Sequence, residues 1–220
     1  MYKVASRGAN HLRPLQFGVG VRGGCEAVVH ATRATLSSET IPGDSLWCLQ
    51  VDLENGFNRG DRAAMLEEVR RLFPDLSPWV ESCYGAPSYL NFGTSTITSS
   101  AGVQQGDPLG PLLFSLLLQP VVEKLQEVQG IVLNVWYLDD GMLVGDREAL
   151  VAAWDLLAEE GEPRGLHLSR EKSLLFCPNH DPSDLDPLGR GVTRGQGGGF
   201  KLLGAPLGDE EYVEEVLEGR

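Results

Sequence analysis

Two adjacent carboxylates set in an apolar run are the residues best equipped for chemistry. Asp139 and Asp140 lie in Trp136-Tyr137-Leu138-Asp139-Asp140-Gly141-Met142-Leu143-Val144, with β-favouring residues on both sides. Asp-Gly is a strong two-residue hairpin signal, so both carboxylates are expected at the tip of a hairpin. Two like charges that close repel, and keeping both ionised is costly. A bound divalent cation would remove that cost, and oxygen-only ligands favour magnesium, or manganese, over zinc. Taken alone, Asp-Asp-Gly also suits a plain solvated turn.

Upstream segments change that balance. Leu49-Gln50-Val51-Asp52 reads as a short buried strand that ends in an acid, and Phe57 follows five positions later. A carboxylate at the end of an apolar run needs a partner. Gly102-Val103-Gln104-Gln105-Gly106-Asp107-Pro108 is a glycine-bounded polar turn that opens into the apolar stretch from Leu109 to Phe114. With these segments the chain resembles the reverse transcriptases, most closely those of non-LTR retrotransposons. The resemblance is carried by Val51 to Asn58, Gly102 to Phe114, Tyr137-Leu138-Asp139-Asp140, and Gly165 to Ser169 leading to Lys172. A fifth segment, Phe200 to Gly208, is similar to the family's primer-gripping hairpin. Five segments in the family's order cover most of residues 15 to 210.

The resemblance implies RNA-templated DNA synthesis on a polymerase palm, a ferredoxin-like βαββαβ sheet in an α+β fold. Residues 1–46 would form part of the fingers, 47–199 the palm with motifs A to D, and 200–220 the primer-grip hairpin with the start of a thumb connection. The basic remainder of the fingers would precede Met1 and a thumb would follow Arg220. Nucleotidyl transfer of this kind uses two divalent ions roughly 3.5–4 Å apart. Asp52 and Asp139 would be ligands to both ions, Asp140 a secondary ligand, and the Leu53 carbonyl a further oxygen. Phe57 would lie under the incoming sugar and exclude a 2′-hydroxyl. Gln104, Gln105 and Gly106 would meet the nascent base pair and the template. Tyr137 would help seat the primer end, and Lys172 would stand near the departing pyrophosphate. The implied partners are an RNA template, a DNA primer and deoxynucleoside triphosphates. Two positions depart from the family pattern: Gly56 stands where many relatives carry Ala, and Leu138 replaces the commoner Ala or Met.

The remaining elements must hold those residues in place. The chain has 220 residues, enough for one sizeable core. Strands are expected from Trp47 to Leu53, Ile131 to Tyr137, Met142 to Gly145, Lys172 to Cys177 and Phe200 to Leu203. Ser88 to Phe92 and Ser95 to Ser99 suggest a hairpin around Gly93. Helical spacing marks Cys25 to Leu36, Asp61 to Phe73, Leu109 to Val128, Leu150 to Glu160 and Asp209 to Leu217. Residues 1 to 17 read as irregular, and 178 to 199 as a mobile loop rich in Pro, Gly and Asp. The pattern predicts helices on one face of a mostly antiparallel sheet.

Composition narrows the classes. The run from Leu109 to Val122 is too short for a bilayer span, so no membrane partner is expected. Cys25, Cys48, Cys83 and Cys177 make no Cys-x-x-Cys pair and suggest reduced thiols in an intracellular protein, nucleus or cytoplasm. Gly18-Val19-Gly20-Val21-Arg22-Gly23 fits a dinucleotide fingerprint, but no βαβ unit surrounds it. A turn that lets a nucleic-acid backbone approach a helix start suits it better. Eighteen basic side chains against 31 acidic ones give a formal charge of −13. Nucleic-acid binding draws on Lys and Arg meeting phosphate, so this balance opposes the leading reading. Either the acids lie on the outer face and in Asp209 to Glu218, or the basic parts lie outside these residues. A catalytically silent palm fragment, acting only as a nucleic-acid or protein interaction module, is the alternative that the charge favours.

Overall fold

The chain is described by a computed structural model over residues 2–38, 46–177, 184, 186–195 and 197–219. In chain order the elements are α1 (Tyr2–Leu12), α2 (Gly24–Leu36), β1 (Trp47–Val51), α3 (Gly56–Arg59), α4 (Arg62–Leu72), α5 (Ser77–Tyr84), β2 (Ser88–Phe92), β3 (Ser95–Ser99) and α6 (Gly110–Lys124). They continue with β4 (Ile131–Tyr137), β5 (Asp140–Gly145), α7 (Arg147–Gly161), β6 (Leu174–Phe176), β7 (Thr193–Arg194), β8 (Gly199–Leu202), β9 (Ala205–Gly208) and α8 (Glu210–Glu218). Three helices start where an aspartate takes up a free backbone N–H. Asp61, Asp146 and Asp209 accept from Ala64, Ala149 and Tyr212.

Five strands form the main sheet in the order β4-β5-β1-β6-β7, and β2-β3 and β8-β9 stand apart as two-stranded hairpins. All main-sheet pairings are antiparallel except β6 with β7. β1, α4, β4, β5, α7 and β6 give the βαββαβ arrangement, so the expected α+β palm is the observed fold. Side chains alternate along each strand and feed two cores. Trp47, Leu49, Val51, Trp136 and Leu143 join the core under α4, α6 and α7. Cys48, Val135, Met142 and Val144 face the other way, into a smaller core with Val28 and Val29 of α2 and Phe200, Leu202 and Leu207 of the β8-β9 hairpin. The second face is therefore covered as well, which extends the one-sided layout expected from the sequence.

Other differences have local causes. Residues 2–12 form a helix where irregular chain was expected. Ser6, Gly8 and Asn10 are weak helix formers, but Ala9 and Leu12 are buried and Arg7 pairs with Asp75 at 2.7 Å. Packing outweighs propensity there. Helix α5 also lacked a clear sequence signal. Of the loop expected over 178–199, residues 178–183, 185 and 196 lie outside the described residues, and the described part includes β7. No helix among the described residues is long and apolar enough to cross a membrane, and the four cysteines are free thiols.

Candidate active site

The aspartate hairpin turns two residues earlier than Asp-Gly implies. Tyr137 pairs with Asp140 and Trp136 with Gly141, so Leu138 and Asp139 make the two-residue turn and Asp140 opens β5. Gly141 serves packing instead. A Cβ there would lie 2.6 Å from Trp136 Cη2, so the bare backbone is the floor on which the fully buried indole rests. Trp136 Nε1 donates to Asn134 Oδ1 at 2.8 Å, and Asn134 Nδ2 donates to the Val122 carbonyl at 2.9 Å. The turn thereby rides on a strand bolted to α6.

β1 runs antiparallel beside β5 with Val51 opposite Gly141. The next step places Asp52 next to Asp140. Strand alternation sets Asp52, Tyr137 and Asp140 on the sheet face opposite α4, α6 and α7. Residues 167–169 continue the sheet past the end of β1. Glu54 N donates to His167 O at 2.8 Å and Ser169 N to Asp52 O at 2.9 Å, around the bridge between Leu53 and Leu168. These bonds use the peptides flanking Leu53 and leave its own carbonyl uncommitted. Asp52 N donates to the buried Ser173 hydroxyl at 3.0 Å. Ser173 fixes Asp52, a role that leaves no spacing signal along the chain.

Burial raises the pKa of Asp140 to about 6, helped by the charges of Asp139 and Asp52. Asp139 is also raised, first by burial and then by Asp52, while its own backbone hydrogen bond and Lys172 act the other way. The three carboxylates thus share one electrostatic neighbourhood. Lys172 is exposed, with Nζ 4.0 Å from Asp52 Oδ1. That oxygen is buried and has no hydrogen-bond donor. A buried carboxylate oxygen without a donor, beside two more carboxylates and a spare carbonyl, is the donor set a hard divalent cation takes. Among the described residues no group of three His, Cys, Asp or Glu side chains stands close enough to hold a metal ion by itself; ions at carboxylate sites also take ligands from carbonyls, phosphate and water.

Phe57, on α3, stacks on Phe114 with ring centroids 4.4 Å apart and 14° between planes. Gly56 is tight against that pair, since a Cβ there would come 3.2 Å from the Phe114 ring. The Gln104-Gln105-Gly106 turn is tied to α3: Val103 N donates to Phe57 O at 2.7 Å and Gly102 N to Gly60 O at 2.8 Å. Gln104, Gln105 and Gly106 are exposed, and Gly106 has a φ of 88° with open space where a side chain would be. A groove of about 570 Å³ runs beside them, lined by Asn58, Leu90, Thr98 to Ala101, Val103, Gln104 and Gln105, without one charged group. Arg62 is buried, and donates to Gly102 O at 2.8 Å, Ser99 O at 2.9 Å and Ser99 Oγ at 2.9 Å. Arg59 pairs with Glu54 at 2.7 Å.

Tyr137 is half-buried and hydrogen-bonded to Cys25, which with burial raises its pKa. Leu138 packs against the bare face of Gly18: a Cβ on Gly18 would lie 2.6 Å from Leu138 Cδ2. Gly18, at the start of the glycine-rich run before α2, thus makes room for the aspartate turn. A hollow of about 730 Å³ between α2, β9 and α8 contains none of the predicted site residues.

A palm sheet carrying three neighbouring carboxylates defines the class: the architecture of template-directed nucleotidyl transferases. The particular family follows from sequence, since residues 4–207 match the family described as reverse transcriptase (RNA-dependent DNA polymerase), and the chain belongs to it. The fold is similar to the apo telomerase of Candida tropicalis truncated from its C-terminal domain, with a TM-score of 0.66 and 14% identity over 94% of this chain and 43% of that one. It is also similar to telomerase from Candida albicans in complex with the TWJ fragment of telomeric RNA, with a TM-score of 0.61 and 12% identity over 96% of this chain and 36% of that one. The chain therefore spans less than half the length of these proteins. No curated protein matches it in sequence.

Proposed function

We propose that this chain is the palm-centred part of a retroelement reverse transcriptase of the non-LTR type. It adds deoxynucleotides to a primer 3′-hydroxyl on an RNA template. Family membership supports the reaction class, and the RNA seen with one fold neighbour is compatible with an RNA template. The observation that carries the proposal is the buried, donor-free Asp52 Oδ1 beside Asp140 at the end of β1.

Asp52, Asp139 and the Leu53 carbonyl would hold two magnesium ions, with Asp140 as an occasional ligand, and ions bound there would supply Lewis acidity at the attacking hydroxyl and the leaving pyrophosphate. Burial first, and then the neighbouring carboxylates, raise the proton affinity of Asp139 and Asp140, and a positive charge at this turn would offset both. Lys172, on the rim, offsets charge on the departing pyrophosphate. Phe57, backed by Phe114, closes the space a 2′-hydroxyl would need. Gln104, Gln105 and Gly106 present polar groups and open backbone to the templating pair, and Tyr137 supports the primer end.

The test is primer extension with an RNA template, a DNA primer, magnesium and deoxynucleotides. Asp139→Asn should lower the rate roughly a thousandfold, the equivalent of about 4 kcal/mol. Undiminished extension by that variant would remove the proposal. A second reading, a silent interaction module, is favoured by the net charge of −13. No extension by the parent chain, with retained binding of RNA or a protein, would select it.

A further inference from the structure

Gln16 lies 122 positions before the aspartate turn, is 2% exposed, and grips that turn with its side chain. Its Oε1 accepts from Leu138 N at 2.7 Å and from Gly18 N at 3.0 Å, and its Nε2 donates to Leu138 O at 3.0 Å. One carboxamide thus binds both peptide groups of a single residue. The opposite amide orientation would set NH2 against two N–H donors, so only this one satisfies all three bonds. The backbone supports the reach. Trp136 N donates to Leu15 O at 2.7 Å and Phe17 N donates to Trp136 O at 2.7 Å, which seats Gln16 beside β4.

Leu138 needs such a grip. Its φ is 57°, in the left-handed region that a side chain with a Cβ disfavours. Two-residue hairpin turns normally place Gly, Asn or Asp at such a position. Leu138 brings no such preference, so its conformation is imposed from outside. The residue it positions next is Asp139.

We infer that Gln16 is a positioning residue for the catalytic turn, holding Leu138 in the left-handed conformation and so setting Asp139 and Asp140 against Asp52. This rests on the reading of those carboxylates as metal ligands. Glutamate has the right shape but no N–H for Leu138 O, and would add a buried charge beside three acids. Methionine fills the volume and makes none of the bonds.

The experiment uses the full chain with Mn2+ as the probe, bound at fixed pH without substrate and followed by electron paramagnetic resonance. Melting temperatures are recorded alongside. Gln16→Met should weaken Mn2+ binding at least about tenfold, the range seen when groups that orient metal ligands are removed. Adding Leu138→Gly should restore most of that loss, because glycine adopts this φ unaided. If Gln16→Met does not fold, the double variant should fold and bind. A folded Gln16→Met chain with unchanged Mn2+ binding overturns the inference, as does a double variant that is no better than the single one. Asp139→Asn separates the two ideas. If it also leaves Mn2+ binding intact, the metal reading is at fault; if it abolishes binding while Gln16→Met does not, only the role of Gln16 falls.

Discussion

Two antiparallel hairpins in this chain share a plan and differ in almost everything else. Each has short β-rich arms joined by a two-residue turn. The β4-β5 hairpin is paired on its inner side to β1, carries Trp136 in the core and ends in carboxylates. The β2-β3 hairpin pairs only with itself, has no charged residue from Ser82 to Gly106 around it, and leaves Tyr89 76% and Phe92 74% exposed. The first uses burial to hold an electrostatically unfavourable group in place. The second is tethered at its base, through Arg62, to the Gln104-Gln105 turn. Burial is concentrated beneath the hairpin that carries Asp139 and Asp140, and the other hairpin leaves an open uncharged surface.

Substitutions can break that contrast. Trp136→Ala should cost about 3–5 kcal/mol, because it empties a site fully buried against Gly141 and α6; chemical denaturation measures it. A loss under about 1 kcal/mol would mean the aspartate hairpin is not anchored by its core face. Arg62→Met should cost about 2–3 kcal/mol, since it leaves the Gly102 and Ser99 carbonyls without donors. Amide hydrogen exchange should rise across residues 99–106 and stay unchanged in β4 and β5.

Proton linkage gives a smaller effect with a definite sign. Asp140 binds a proton more tightly folded, at about 6, than at the ordinary carboxylate value of 3.8. The folded state therefore holds more protons between those limits. Without metal, stability falls as pH rises from about 4 to 6, and the penalty stays at neutral pH. The full shift corresponds to about 3 kcal/mol, but Asp140 keeps partial solvent contact, so about 1 kcal/mol is expected. In chelator at pH 7, Asp140→Asn should melt about 2–4 °C higher than the parent, with the gap closing near pH 4. The smallest effect belongs to the other hairpin: Phe92→Ser should change stability by no more than about 0.5 kcal/mol. A larger destabilisation would show that β2-β3 is packed against something after all.

By itself the sequence determined the order and type of the main elements. Period-2 and helical patterns marked β1, β4, β6, α4, α6 and the β2-β3 hairpin, because those faces bury apolar side chains at regular intervals. It also marked Asp52, Asp139 and Asp140, because acids at the ends of apolar runs break the pattern. Helix α1 was hidden, since its stability comes from packing and its residues are poor helix formers. The turn falls two residues before Asp-Gly, because Asp-Gly has the right local chemistry while the room needed by Trp136 decides the register. Only the tertiary structure showed that Gly141 is a floor, that Gly18 faces Leu138, that Ser173 holds Asp52, and that Gln16 grips the turn from 122 residues away. Such contacts join distant segments through single hydrogen bonds or single missing atoms, which leave no periodic trace along a chain.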